Sequence, residues 1–188
     1  MKLDLNDPAS IAADIQHLRR VLDVDFDRGI VRWMHIDQSG RCVKWPEYWN
    51  KRYAGQEVGG RCAASGYWQM LITIDGHRRK LWRHRVVFAV ANGYWPAEID
   101  HIDRDRANDS LANLRECTKS QNSCNKPKKA GCISRMKGVS RCRKTGKWVS
   151  QININRRHIN LGRFDTEAQA GVAYAAAAKR LHGEFACV

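Results

Sequence analysis

Asp100 and His101 stand side by side in this chain, and Asn113 and Asn122 follow within the same short stretch, residues 99–125. Those residue types suit hydrolysis of a phosphodiester with the help of one divalent cation. The reaction needs a group to take a proton from water, and a cation to neutralise charge on the phosphate and the departing oxygen. A neutral imidazole meets the first need. A carboxylate and a carboxamide oxygen can hold a hard, oxygen-seeking cation for the second. Taken alone, the same polar positions also read as turn residues, since Asn- and Asp-rich stretches commonly form turns.

Local signals say which elements carry these groups. Thr118-Lys-Ser-Gln121 has the pattern of a capping box, so a helix starts at Lys119 with Asn122 on its first turn. Asn125 lies three residues further along nearly the same face and is an alternative ligand. Asp103, Asp105 and Asp109 read as loop-surface or turn residues rather than ligands. His84 precedes the apolar run Val86–Ala91 and reads as a packed histidine that hydrogen-bonds the backbone of the site. Arg85–Asn92 is expected to be a short helix stopped by Gly93. Trp95, just before the Asp-His strand, is expected to pack beneath the site.

The run from His84-Arg85 through Glu98-Ile-Asp-His-Ile-Asp103, Asn113-Leu-Arg115 and Ser120-Gln-Asn122 resembles the HNH nucleases, in particular those of phage and intron-borne homing endonucleases. The resemblance implies an α+β fold containing a ββα-metal unit: a strand with Asp100-His101, a loop, a strand near Leu114–Cys117, then a helix with Asn122. It implies His101 as general base, Asn113 orienting it, and Asp100 and Asn122 as ligands of one Mg²⁺ or Mn²⁺.

Composition agrees with a polyanionic partner. The chain of 188 residues carries a formal net charge of +14, which points to a polyanion; the resemblance implies that this partner is double-stranded DNA. The charge is lopsided: residues 126–188 hold fourteen Lys/Arg against three acids. A solvated basic face is the plainer reading of such a run. No apolar stretch is long enough to cross a bilayer, and the acidic, polar N-terminus lacks signal-peptide features, so a cytoplasmic setting is expected, that of a bacterial host if phage-borne. Seven cysteines, with no C-x-x-C pair, suit neither a disulfide framework nor a zinc knuckle. Reduced thiols are expected and a structural zinc is not.

Four segments are expected. Residues 1–83 read as a helix and then strands. Asp7-Pro8 starts the helix, and Ile11, Ile15, Leu18 and Leu22 give it one apolar face. Phe26–Trp33 looks like a turn entering a strand. Residues 67–82 read as a β-hairpin turning at Asp75-Gly76. Trp45 and Trp49 are either base stackers or, more commonly for such residues, half-buried aromatics. Residues 84–125 form the nuclease unit. Residues 126–137 form a basic connector, whose Lys128, Lys129, Arg135 and Lys137 are expected to contact phosphates along an extended tether.

Residues 138–188 read as three short strands followed by a helix rich in alanine, capped by Thr166 and Gln169. Gly146-Lys-Trp-Val149, Leu161-Gly-Arg-Phe-Asp-Thr166 and His182-Gly-Glu-Phe-Ala186 resemble the ethylene-response-factor (Apetala-type) DNA-binding domain, also found at the C-terminus of phage HNH nucleases. In that family a three-stranded antiparallel sheet packed on one helix enters the major groove. The resemblance implies Arg141, Arg143, Gln151, Asn153, His158, Asn160 and Arg163 as readers of bases and phosphates. Arg suits guanine, and Asn or Gln suits adenine. Several plant arginines and a tryptophan are Gln, Asn or His here, so no target sequence carries over. Trp148 is expected to hold the sheet to the helix. Together these readings predict a strand-nicking, site-directed DNA endonuclease acting as a monomer; the alternative is a DNA-binding regulator with an inactive nuclease unit.

Overall fold

The computed structural model describes residues 8–36, 45–74, 76–128, 131–154 and 157–187. The expected helix N-cap at Asp7, the turn residue Asp75, and Lys129 and Cys42 lie outside the described residues. The fold is α+β, and compactness divides the chain once, into Met1–Glu116 and Cys117–Val188.

In the first unit, α1 (Pro8–Val21) buries Ile15, Leu18 and Val21, the face that helical spacing predicts. Leu22, expected on that helix, instead opens β1 (Leu22–Asp25), which pairs antiparallel with β2 (Ile30–Trp33) across a tight turn. A helix of eight residues, α2 (Pro46–Tyr53), follows and buries none of its side chains. Next comes an antiparallel sheet of β3 (Gly60–Arg61), β4 (Trp68–Ile74) and β5 (His77–Trp82). Met70, Ile72 and Ile74 of β4 point into the core at every second residue, as a half-buried strand requires.

Helix α3 (Arg83–Asn92) is two residues longer at its start than expected and ends at Gly93 in the left-handed conformation, φ +81°. Its run Val86–Val90 is buried all round, so α3 is a core helix rather than an amphipathic one. Arg19 of α1 donates to the carbonyl of Val90, tying the two helices together. Strands β6 (Glu98–His101) and β7 (Leu114–Cys117) then pair, with a loop and a 3₁₀ turn (Leu111–Asn113) between them. One apolar cluster takes in Leu18, Val31, Met70, Val86, Ile99 and Leu114, with Trp95 packed against it. Residues before and after position 84 therefore share a single core.

In the second unit, α4 (Lys119–Asn125) starts with the predicted capping box between Thr118 and Gln121. Strands β8 (Val139–Arg141), β9 (Trp148–Ile154) and β10 (Arg157–Phe164) form an antiparallel sheet in the order β10-β9-β8. Helix α5 (Glu167–His182), capped by Thr166 and Gln169 as predicted, lays Ala170, Tyr174, Ala177 and Ala178 against Val139 and Ile152. Trp148 packs on that cluster, in the structural role expected of it. The alanines let helix and sheet approach closely, which suits a unit with few large apolar side chains.

One turn of the first unit has no room for a side chain. Gly29, between β1 and β2, has φ +65°, and a Cβ there would overlap the backbone of Asp109 and Ser110. The left-handed φ alone costs a non-glycine residue about 1–3 kcal/mol, and backbone cannot swing aside as a side chain can. Gly29→Ala is expected to lower unfolding free energy by more than about 2 kcal/mol, measured by urea titration. The same substitution should displace the Asp109 loop.

Candidate active site

His101 ends β6, and its position is fixed by a residue that the sequence reading set aside. Asp109 was expected at the surface or in a turn. Instead it is completely buried, with Oδ1 3.0 Å from His101 Nε2. Its other oxygen, Oδ2, accepts from Arg83 Nε at 2.6 Å. Arg83 also donates to Glu57 Oε1 at 2.6 Å, and its guanidinium lies 4.4 Å from the Trp68 ring centroid. A carboxylate out of water must be paired and hydrogen-bonded, and the Arg83 pairing meets that requirement. With its proton on Nε2, His101 donates to Asp109 and keeps Nδ1 as the basic nitrogen, the division of labour that a general base needs.

The loop that delivers Asp109 is braced by Asn113. Its Nδ2 donates to Asp103 Oδ1 at 2.9 Å and to the Asn108 carbonyl at 2.8 Å, and its Oδ1 accepts from the Asp103 amide at 3.0 Å. Asn113, expected to orient the histidine, thus holds the loop that carries the histidine's partner. Asp103 and Asp105 do behave as turn residues, accepting from backbone amides two residues ahead.

Asp100, one residue before His101, is buried on β6, and its Oδ2 accepts both Nε (3.0 Å) and Nη2 (2.7 Å) of Arg115 on β7.

His84, on the first turn of α3, is packed as expected, with its ring 5.1 Å from that of His101 and 4.9 Å from Tyr67. The expected hydrogen bond is not seen at Nδ1, which is buried without a partner among the described residues. Burial, and then the neighbouring His101, push its pKa down to about 3.

In the second unit, Asn122 sits on the first turn of α4, and Asn125, the alternative ligand, is buried. Among the expected DNA contacts, Asn153 pairs with His158, Gln151 with Asn160 and Val149 with Arg163. Directly opposed residues share a face, and Ser150 and Ile152 point the other way, into the unit's core. Gln151, Asn153, His158, Asn160 and Arg163 therefore occupy one exposed face. His158 and Asn160 can share it with Arg163 because the register shifts between Asn160 and Gly162. That bulge resets the two-residue alternation, and Asn160 Oδ1 caps it by accepting from the Gly162 amide at 3.0 Å.

Arg141 stands apart. It opposes Trp148, donates to the Gly146 carbonyl and lies 5.9 Å from the Trp148 ring. Arg143 follows the end of β8. Among its described residues, the connector is not the extended tether expected from its composition. Lys128 donates to the carbonyls of Met136 and Val139, and Lys137 to those of Cys124 and Lys126. The Arg135 amide donates to Glu167. Backbone carbonyls need donors wherever a turn leaves them unpaired, and these lysines supply them.

The β6-loop-β7-α4 sequence is the ββα order of an HNH unit, and known proteins agree with that class. A sequence profile of the HNH endonuclease family matches residues 81–124. "Uncharacterized HNH endonuclease L560" of Acanthamoeba polyphaga mimivirus is 34% identical over 110 residues, 57% of this chain and 56% of that protein. "Protein 3.8" of Escherichia phage T7 is 32% identical over 106 residues, 55% of this chain and 87% of that protein. The solved structure of the HNH homing endonuclease I-HmuI, described as binding and cleaving DNA, overlaps at a TM-score of 0.40 with 22% identity, covering 58% of this chain and 53% of that one. The chain thus contains an HNH endonuclease domain at residues 81–124, and it spans little more than half the length of the mimivirus relative.

The depressed His84 pKa has a consequence for stability. The unfolded ring titrates near 6.5 and the folded one at about 3, so the unfolded chain binds the extra proton first. The contribution is complete above pH 6.5 and is lost as pH falls toward 3, at up to about 1.4 kcal/mol per pH unit. Urea midpoints of metal-free protein should fall over that window, and the fall should be shallower in His84→Gln.

Proposed function

We propose that the chain is a DNA endonuclease that hydrolyses one phosphodiester per binding event with the help of one divalent cation, Mg²⁺ or Mn²⁺. The observation that carries this reading is the buried Arg83–Asp109–His101 chain, which holds a histidine base beside Asp100 on one strand. His101 Nδ1 takes the proton from the attacking water while Asp109 accepts the hydrogen bond from Nε2–H and balances the imidazolium that forms. Asn113 keeps the Asp109 loop closed.

The carboxylate of Asp100 is of the oxygen-donor type that a hard cation takes, and Arg115, which donates to its Oδ2, fixes its orientation. The family resemblance adds the Asn122 oxygen as its fellow ligand. When bound, the cation neutralises charge on the phosphate and on the departing 3′ oxygen. Family resemblance further supports 5′-phosphate and 3′-hydroxyl ends, a nick from a single active site, and a homing-type enzyme at work in a bacterial host.

The exposed face of the C-terminal sheet is proposed as the targeting surface, of ethylene-response-factor type, for duplex DNA. Its support is the clustering of Gln151, Asn153, His158, Asn160 and Arg163 on one face away from α5. Amides, an imidazole and a guanidinium side by side can read base edges in the major groove. Phosphate contacts in this proposal fall to Arg135 and to the arginines of the sheet, since Lys128 and Lys137 are engaged with backbone.

Supercoiled plasmid incubated with the chain and Mg²⁺ should accumulate nicked circles, and EDTA should stop it. His101→Ala is expected to slow nicking by about 10²–10⁴-fold, the usual contribution of a general base, with DNA affinity unchanged. Metal-independent nicking, or full activity in the variant, would sink the proposal; tight binding with no nicking at all would point to a regulator. Selection from random duplexes should return a preferred site for the native chain and none for Asn153→Ala/Asn160→Ala. Affinity should fall with salt by about 0.9 log units per tenfold for each phosphate neutralised.

A further inference from the structure

One buried group beside His101 takes no part in the proposed chemistry. His84 is 8% exposed, sits against His101, and keeps Nδ1 unpartnered among the described residues. A buried polar atom left unsatisfied costs about 1–3 kcal/mol, so a ring held this way invites a partner that is not a protein donor. His84, His101 and Asp109 each offer one ligand atom, and all three atoms lie within 4.8 Å of one another.

We propose that His84, His101 and Asp109 form a second cation site, selective for borderline ions such as Zn²⁺, Co²⁺ or Ni²⁺, and that filling it silences the nuclease. Two imidazoles and one carboxylate are a ligand set that zinc-like ions take, leaving further positions for water. A hard ion such as Mg²⁺ prefers an all-oxygen shell, so the two sites sort cations by ligand type. Around a tetrahedral ion with bonds of about 2.0–2.1 Å, ligand atoms stand roughly 3.3 Å apart. The His101–Asp109 pair is at 3.0 Å, and drawing in the widest pair asks for a shift on the order of 1 Å.

Charge also permits it. Arg83 is flanked by two carboxylates, Glu57 and Asp109, so this group carries a formal excess of one negative charge around two neutral rings. An incoming cation is compensated there. The inhibition follows from the tautomer. An ion lying between His101 Nε2 and Asp109 Oδ1 takes the Nε2 lone pair, and the ring's single proton then resides on Nδ1. A protonated Nδ1 cannot accept the proton of water. The inhibitory half of the proposal rests on the function proposed for His101; the binding half does not.

The experiment uses the full chain, stripped of metal with EDTA, desalted, and titrated with Co²⁺ alone. One equivalent is expected to produce the visible d–d absorption of a low-coordinate nitrogen–oxygen site, without a thiolate charge-transfer band. His84→Gln should weaken that binding about tenfold or more, given that even outer-shell changes cost 10–100-fold. Because the variant could disturb folding, a Cu²⁺ electron paramagnetic resonance spectrum of the native chain supplies a second readout, with hyperfine coupling to two imidazole nitrogens expected. Zn²⁺ should inhibit Mg²⁺-supported nicking, at a concentration at least about tenfold higher in His84→Gln, each protein being compared with its own uninhibited rate. A cobalt spectrum dominated by thiolate, or binding equal in both proteins, overturns the site. Cobalt binding that depends on His84 in a chain that never nicks DNA upholds the site and overturns the function.

Discussion

A carboxylate with no access to solvent, Asp109, is the constraint around which the first unit is arranged. Stripping a charge of water costs several kcal/mol, and the cost is recovered only if the partners are close and well aligned. Arg83 provides one such partner and His101 shares the other oxygen. Each then inherits the constraint. Arg83 has to begin α3 where β5 ends, Glu57 has to reach the guanidinium, and the loop from Ile102 to Ser110 has to fold back so that its aspartate faces inward. The imidazole is consequently held by the fold and not by its own rotamer preference. Catalytic side chains positioned this way lose little entropy on binding substrate.

The second unit solves a different problem, that of presenting polar groups from a small sheet. Its buried core is small, built of alanines, one valine, one isoleucine and a tyrosine, with Trp148, Leu161, Phe164 and Leu181 half-buried against it. Lysines that composition alone would assign to DNA instead close the turns of the connector. The bulge in β10 then sets which side chains reach the open face. Basic character and DNA contact are therefore not the same property here: part of the positive charge is structural.

Much of this was legible from residue order. Both capping boxes, the hairpin of β4 and β5, the three C-terminal strands and the alanine-rich helix follow from local chemistry, and local chemistry decided them. Asp109 was not legible for the opposite reason. Asn-Asp-Ser reads as a turn, and what buries the aspartate is an arginine 26 positions earlier in the chain. A signal did exist: Arg83 and His84 open a helix whose next turns, Val86–Ala91, are apolar, and a cation in that setting needs a buried acid. Helix α2 was missed because it buries nothing and so leaves no apolar period to detect. The folded connector was missed because composition cannot distinguish a lysine facing phosphate from one facing a carbonyl.

The hairpin at Gly29 carries an implication for how such enzymes are assembled. The family signature begins at residue 81, yet Gly29 packs against the backbone of Asp109, Phe26 accepts from the Leu111 amide, and Glu57 supplies the second acid on Arg83. A cassette excised at the signature's border and grafted elsewhere would arrive with an arginine short of one counter-ion and a loop resting on nothing. Moving this HNH unit into another chain would therefore require the upstream hairpin and Glu57, or their equivalents, to travel with it.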